Sequence, residues 1–225
     1  MTDPPAPHPP APKDFWQTLH PKTTFGPGPY SAAYPASFPD GRQLLLPIRP
    51  LPGTDTALAS LIINQASFAV LDAIATTLAG LLRPLAPDII VGLPTLGLTL
   101  AAAVAQRLGH TRYIPLGTSK KFWYDPALSV PLSSVTSPGQ TKTLYLDPRL
   151  RPLLTGRVVL IDDVISSGVS IAAACRLLEI CNVTPTVIGT AMLQTEAWRP
   201  RVNGQLVTVL KSPLLRKTSE GKWRD

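Results

Sequence analysis

Apolar residues along this chain fall into short unbroken runs that alternate with stretches of helical spacing. The runs "DIIVGL" (88–93), "TRYIPL" (111–116), "TKTLYL" (141–146), "RVVLI" (157–161), "TPTVIGTAML" (184–193) and "QLVTVL" (205–210) read as strands. Continuous apolar sequence is what a parallel strand needs when both faces are covered. From about Asp55 to Leu82 the pattern changes: Ile63, Val70, Ile74, Leu78 and Leu81 recur at helical spacing, and Pro84 and Pro87 close the segment. A second helix follows "IIVGL" and runs to Leu108, with Gly109 as its stop signal, and "GVSIAAACRLLEI" (168–180) gives a third. Strands alternating with helices predict an α/β fold, a mostly parallel sheet flanked by helices on both faces.

The flanks behave differently. Half of the first twelve residues are proline, so 1–13 reads as a disordered, polyproline-like tail. Residues 14–53 are irregular and rich in Gly, Pro and aromatics, with one apolar run, "QLLLPI" (43–48); they predict a cap rather than a sheet core. Residues 117–140, containing "GTSKKFWYDPALS", read as a long loop, and loops of that length inside a compact domain are usually lids or disordered. Residues 89–106 carry no charge, which is near membrane-spanning length. Gly92, Pro94 and Gly97 divide that stretch into strand, loop and helix, so no membrane span is expected.

At 225 residues the chain suits one sizeable core, a single domain over 14–225. A net charge of +7 raises nucleic acid as a partner, but the basic residues are scattered rather than gathered in a stripe. A positive field that draws in small polyanions fits that distribution better. Cys175 and Cys181 lie in a predicted helix without metal-binding spacing and read as buried thiols. Without a disulfide framework or a cleavable leader, a cytoplasmic location is expected.

The chemistry concentrates in "VVLIDDVISSGVS" (158–170). In an open parallel sheet, ligands bind beyond the carboxyl ends of strands. Asp162 and Asp163 stand at such an end, followed by a hydroxyl-rich turn that opens a helix. Backbone N–H groups at a helix start favour a phosphate, Ser166, Ser167 and Ser170 add donors, and Gly168 lets the backbone approach. The two carboxylates would repel a phosphate beside them, but they can accept bonds from a vicinal diol and position a hydrated Mg²⁺. Phosphate at one end and diol at the other describes a ribose 5-phosphate.

That order of four apolar residues, two acids, two apolar residues and a Ser/Gly turn resembles the signature of the type I phosphoribosyltransferases, enzymes that use 5-phosphoribosyl 1-diphosphate (PRPP). The resemblance implies that Asp162 and Asp163 hold the ribose hydroxyls and that Ile165, Ser166, Ser167, Gly168, Val169 and Ser170 hold the 5-phosphate. Upstream, "IVGLPTLGLTLAAAVAQRLG" (90–109) resembles the family's pyrophosphate loop, placing Leu93, Pro94, Thr95 and Leu96 against the diphosphate. The family often carries a strained peptide here, which makes Leu93–Pro94 a candidate cis bond. Some relatives have Arg or Lys where this chain has Leu96. The resemblance assigns that charge to Lys120, then Lys121, of "TSKK".

It also implies a mobile lid over 117–140, a core over about 55–195, and a small irregular hood from 14–53 and 196–225 that selects the base. Trp198, Glu196 and Tyr124 are the candidates for the base pocket, with Asp125 a further spare carboxylate. Ser166 stands where 6-oxopurine enzymes commonly carry a basic Asp, which turns the expectation toward other purines, adenine first. The implied activity is Mg²⁺-dependent transfer of ribose 5-phosphate from PRPP to a nitrogenous base, in a homodimer. The alternative is a regulator that binds PRPP on the same fold without turnover.

Overall fold

The unbroken apolar runs become neighbouring strands of one sheet in the computed structural model, which describes residues 10–132 and 142–225. In chain order, the first strands are β1 (Leu19–His20), β2 (Ala33–Ser37), β3 (Gln43–Pro50) and β4 (Thr56–Ala59). Helix α1 (Phe68–Leu82), strand β5 (Ile89–Gly92), helix α2 (Gly97–Leu108) and strand β6 (Ile114–Pro115) follow. Next come β7 (Ser129–Leu132), β8 (Lys142–Tyr145), β9 (Val158–Ile165), α3 (Val169–Ile180) and β10 (Val187–Gln194). Strands β11 (Gln205–Ser212), β12 (Leu215–Lys217) and β13 (Trp223–Arg224) close the chain.

The main sheet has the order β11-β10-β9-β5-β6 and is parallel throughout. Val159 and Ile161 of β9 pack with Val70, Ile74, Leu78 and Leu82 of α1 and with Leu100 and Val104 of α2. Val158 and Leu160 pack with Ile171, Ala174, Leu177 and Leu178 of α3. Helices therefore cover both faces, as expected for strands with no polar side. Each of these fully buried Val, Leu and Ile side chains contributes about 1.5–3 kcal/mol through removal from water.

The predicted helix over 55–82 splits. Thr56–Ala59 is taken by β4, which pairs with β3 and β12, and α1 starts only at Phe68. Ser67 sets that start: its backbone is extended and its hydroxyl accepts the Val70 N–H at 3.2 Å. Leu81, counted in the apolar stripe, is 39% exposed, so the buried seam runs through Val70, Ile74, Leu78 and Leu82 instead. Phe68–Leu85 is long and apolar enough to cross a membrane, yet its inner face is this seam. The uncharged stretch 89–106 resolves into β5, a turn and α2.

The hood is not irregular. Strands β1, β3, β4, β12 and β13 form an antiparallel sheet in that order, with β2 also paired to β3. "QLLLPI" supplies β3, whose Gln43–Ile48 stretch is buried throughout. The C-terminal segment is likewise divided. β11 belongs to the parallel sheet beside β10, and only β12 and β13 join the hood. In the segment expected as a lid, β7 forms an antiparallel ladder with β8, while 133–140 lies outside the described residues. Of the tail, 1–9 also lies outside them, and Pro12–Asp14 forms a short 3-10 turn.

Candidate functional site

The turn between β9 and α3 builds a small concave site. β9 runs past the predicted end at Ile161 to Ile165, so both acids lie within a central strand and both are buried. Successive strand residues face opposite sides, and the carboxylate of Asp162 is tied back, its Oδ1 accepting the Asp163 N–H at 2.9 Å. Asp162 and the segment Val164–Ile171 line a cavity of about 120 Å³. All six residues expected to hold a phosphate, Ile165 to Ser170, line it. Asp163 is not among the residues lining it. The opening N–H groups of a twelve-residue helix have no intrahelical acceptor, and they open onto this cavity.

Burial, reinforced by the neighbouring Asp163 carboxylate, pushes Asp162 well above the ordinary carboxylate range. Burial raises Asp163 as well, against hydrogen bonds from Asp162 and the Val164 N–H that pull it down. Among the described residues no group of three His, Cys, Asp or Glu could hold a metal ion, so this pair is the acidic donor set at the cradle.

Two glycines at the site are also required by close packing. Gly168 has φ +77° and caps α3 in the left-handed region, and a Cβ there would lie 2.8 Å from Val202 Cγ2 and 3.2 Å from the Trp198 carbonyl. The missing side chain makes room for the 198–202 turn, and Gly168 also lines the cradle. Gly97 seats α2 directly on β9: its Cβ would lie 2.8 Å from Asp162 Oδ1 and 2.9 Å from Asp162 Cα. That contact brings the Leu93–Leu96 turn alongside the acidic pair.

Leu93 is buried and its N–H donates to the Ile161 carbonyl at 2.9 Å; Thr95 is exposed. The cis peptide of this turn is Pro94–Thr95, not the expected Leu93–Pro94. Lys120 and Lys121 are exposed on the segment after β6. Cradle, turn and lysines thus follow the carboxyl ends of three adjacent parallel strands, β9, β5 and β6.

On the other side of the cradle, beyond β10 and β11, a cavity of about 940 Å³ opens between the parallel sheet and the hood. Ser166, Glu196 and Trp198 line it, which brings two of the three base-pocket candidates beside the phosphate turn. Trp198 Nε1 donates to the Thr195 carbonyl at 3.0 Å, and Arg199 stacks on its ring at 5.0 Å. Glu196 is paired with that same Arg199.

Tyr124 does not reach this cavity. Its ring packs near Tyr145 at 6.1 Å, because the 122–125 segment is pinned elsewhere: Trp123 Nε1 donates to Asp147 Oδ2 at 3.4 Å and Arg149 lies 5.2 Å over the Trp123 ring. The guanidinium of Arg149 holds the Asp147 carboxyl down to about 2. Asp125 is spent on its own turn, accepting the Ala127 N–H at 2.9 Å. Trp123 is therefore a loop anchor.

Several residues at the site carry no sequence signal. Arg201 reaches back to the Ser167 carbonyl at 3.4 Å, placing a cation beside the cradle. Tyr34, Leu51 and Leu58 come from the hood, and Lys211, Ser212 and Asp225 from the C-terminal segment, to wall the large cavity. Thr195, at its floor, has φ +61°, an uncommon conformation for a β-branched residue and one that marks functional turns.

Comparison with known proteins gives one family throughout. Residues 61–211 match the model of the phosphoribosyl transferase domain. An adenine phosphoribosyltransferase of Mycolicibacterium smegmatis is 36% identical over 116 residues, 51% of this chain and 60% of that protein. One from Roseiflexus sp. is 33% identical over 140 residues, 61% of this chain and 75% of that protein. This chain thus spans about 60% of the length of the first of these relatives. Among solved structures, an APRTase from Giardia lamblia in complex with 9-deazaadenine superimposes with TM-score 0.58 at 21% identity, covering 74% of this chain and 93% of that one. Adenine phosphoribosyltransferase from Thermoanaerobacter pseudethanolicus gives 0.59 at 19% identity, with 74% and 95% covered. At such identities these structures establish the fold.

Proposed function

Given that the chain belongs to the phosphoribosyl transferase family, we propose that it moves ribose 5-phosphate from PRPP to a purine-type base, adenine first, and releases diphosphate. The observation that carries this reading is the 120 Å³ cavity formed by Asp162 and the 164–171 turn at the start of α3. In this reading the N–H groups and hydroxyls of Ile165 to Ser170 bind the 5-phosphate, each charge-assisted bond contributing about 1.5–3 kcal/mol. Asp162 and Asp163 accept the ribose hydroxyls. Leu93 to Leu96 present amides to the diphosphate, and Lys120, with Lys121 beside it, neutralises it. Trp198 supports the incoming base.

Mg²⁺, when bound, supplies charge neutralisation at the leaving diphosphate. A pair of carboxylates without a third ligand suits a cation that keeps most of its waters and takes its other ligands from substrate phosphates, so Asp162 and Asp163 would hold it through water. The protein's own contribution is alignment of base and sugar, together with donors fixed where negative charge develops on the departing group. A homodimer and a cytoplasmic location complete the proposal.

The test is diphosphate release from PRPP and Mg²⁺ against a panel of bases. Release with a purine supports the transferase; tight PRPP binding without release across the panel supports the regulator instead. Asp163→Asn is expected to lower kcat/KM for PRPP at least tenfold, about 1.4 kcal/mol. Unchanged kinetics in that variant would remove the diol assignment.

A further inference from the structure

The segment between β6 and β7 carries both candidate lysines, and the body of the protein closes it into a loop. At one end Gly117 and Tyr145 exchange backbone bonds, the Gly117 N–H donating at 3.0 Å and the Tyr145 N–H at 2.8 Å. At the other end the Leu146 N–H donates to the Leu128 carbonyl at 3.1 Å. Within the loop the Tyr124 N–H donates to the Lys121 carbonyl at 3.0 Å, which closes 121–124 into a single turn. Whatever fixes a residue of that turn also fixes the backbone that carries Lys120 and Lys121.

The fixed residue is Trp123. Its partner Asp147 is buried and held from its own side. Asp147 Oδ1 accepts the Arg149 N–H at 3.0 Å, capping the Pro148–Leu153 3-10 turn, and the Arg149 guanidinium donates to both carboxylate oxygens. This pair meets the indole twice, with Asp147 Oδ2 accepting the Nε1–H at the ring's edge and Arg149 lying over its face. The neighbours of Trp123 are left to solvent: Lys120 and Lys121 are exposed, and Phe122 is 97% exposed. Among the described residues neither lysine has an ion-pair partner. The ring thus takes the ordering contacts, and two adjacent cations stay free for an anion.

Building on the proposed transferase reading, we infer that Trp123 is a positioning residue for the reaction, clamped by Asp147 and Arg149 so that Lys120 and Lys121 are set for the diphosphate before PRPP binds. A lysine charge sits on a flexible four-carbon stem, so its contribution depends on how firmly the base of that stem is held. Fixing the backbone in advance removes part of the ordering cost from the bound and reacting states. Trp123 acts only through the lysines, and that dependence separates positioning from a general role in stability.

The test is a double-mutant cycle on the full chain, read as diphosphate release from PRPP and Mg²⁺ with the base that the panel selects. Trp123→Ala is expected to lower kcat/KM for PRPP at least fivefold while KM for the base stays within twofold. Trp123→Phe, which keeps a ring under Arg149 and loses only the donor, should stay within threefold of the wild type. In the Lys120→Ala/Lys121→Ala background, Trp123→Ala should cost less than a further twofold. A repeated fivefold loss in that background, or wild-type kinetics in either Trp123→Ala or the lysine variant, overturns the inference. Arg149→Met frees the ring from its other side and completes the same cycle should Trp123→Ala not fold. Should no base release diphosphate, the transferase reading fails by itself, and calorimetric titration with PRPP and Mg²⁺ runs the cycle instead. Fivefold weaker binding in Trp123→Ala that disappears in the lysine background supports the assignment; wild-type affinity, or no PRPP binding at all, removes it.

Discussion

At the carboxyl end of β9, thirteen consecutive residues place one acid, three hydroxyls and a helix start around one cavity, with the second acid next in sequence. At the seam between the parallel sheet and the hood, the cavity walls come from Tyr34, Leu58, Trp198, Ser212 and Asp225, which are scattered over nearly the whole chain. The first region is local: its geometry follows from a strand, a turn and a helix that neighbour one another in sequence. The second exists only after β3, β4, β12 and β13 have paired. A local site can keep its chemistry while the rest of the chain changes, whereas an assembled one is free to alter what it accepts through any of its distant parts.

The sharpest way to break the comparison is at its single point of overlap, Gly168, which belongs to the cradle but is packed by the 198–202 turn. Gly168→Ala sets a Cβ 2.8 Å from Val202 at φ +77°. The expected cost is about 2–3 kcal/mol of stability, read by denaturant unfolding, with loss of both PRPP and base affinity. An effect on PRPP alone would show that the two regions are uncoupled.

A smaller effect is expected at Gln194, whose buried side chain donates to the Ala59 carbonyl at 2.7 Å and so ties β10 to β4 of the hood. Gln194→Ala leaves that acceptor unpaired, at about 1–2 kcal/mol. It should raise KM for the base while KM for PRPP stays within twofold.

The smallest effect has the opposite sign. Both acids titrate above the ordinary carboxylate value of about 3.8 because they are buried. Above that value the folded chain holds protons that the unfolded chain has released. Stability contributed by the protonated forms is therefore complete below pH 4 and falls as pH rises through the folded values. Asp162→Asn has no charge to bury and escapes that loss. Its melting temperature at pH 7 should exceed the wild type's by about 2–4 °C per kcal/mol gained, and the difference should vanish toward pH 4.

How far the sequence could be read follows the same division. The strand, acids and turn of the cradle were legible because each depends on its immediate neighbours, and the alternation of apolar runs and helical stretches carried the parallel sheet. Gly168 was legible as a requirement of the cradle but not in its packing partners, since Val202 and Trp198 lie 30 residues and more away. "QLLLPI" looked isolated because its partners are not adjacent: β3 pairs with β2 and β4, and the hood closes where the Tyr30 N–H donates to the Trp223 carbonyl at 2.6 Å. Residues 55–59 read as helix in the sequence because short strands of Thr, Ala and Leu have no period that distinguishes them from a helix start. Ser212 gave no signal, since a serine at a strand end becomes informative only when the atoms around it are known.

The passage from β11 to β12 has a mechanical consequence. Only Pro213 and Leu214 separate the last residue of the edge strand from the first residue of the hood strand paired to β4. A tether that short, stiffened by a proline ring, allows little independent travel. Any rocking of the hood over its neighbour must drag the outermost strand with it, so opening the cleft and loosening the sheet margin become one movement.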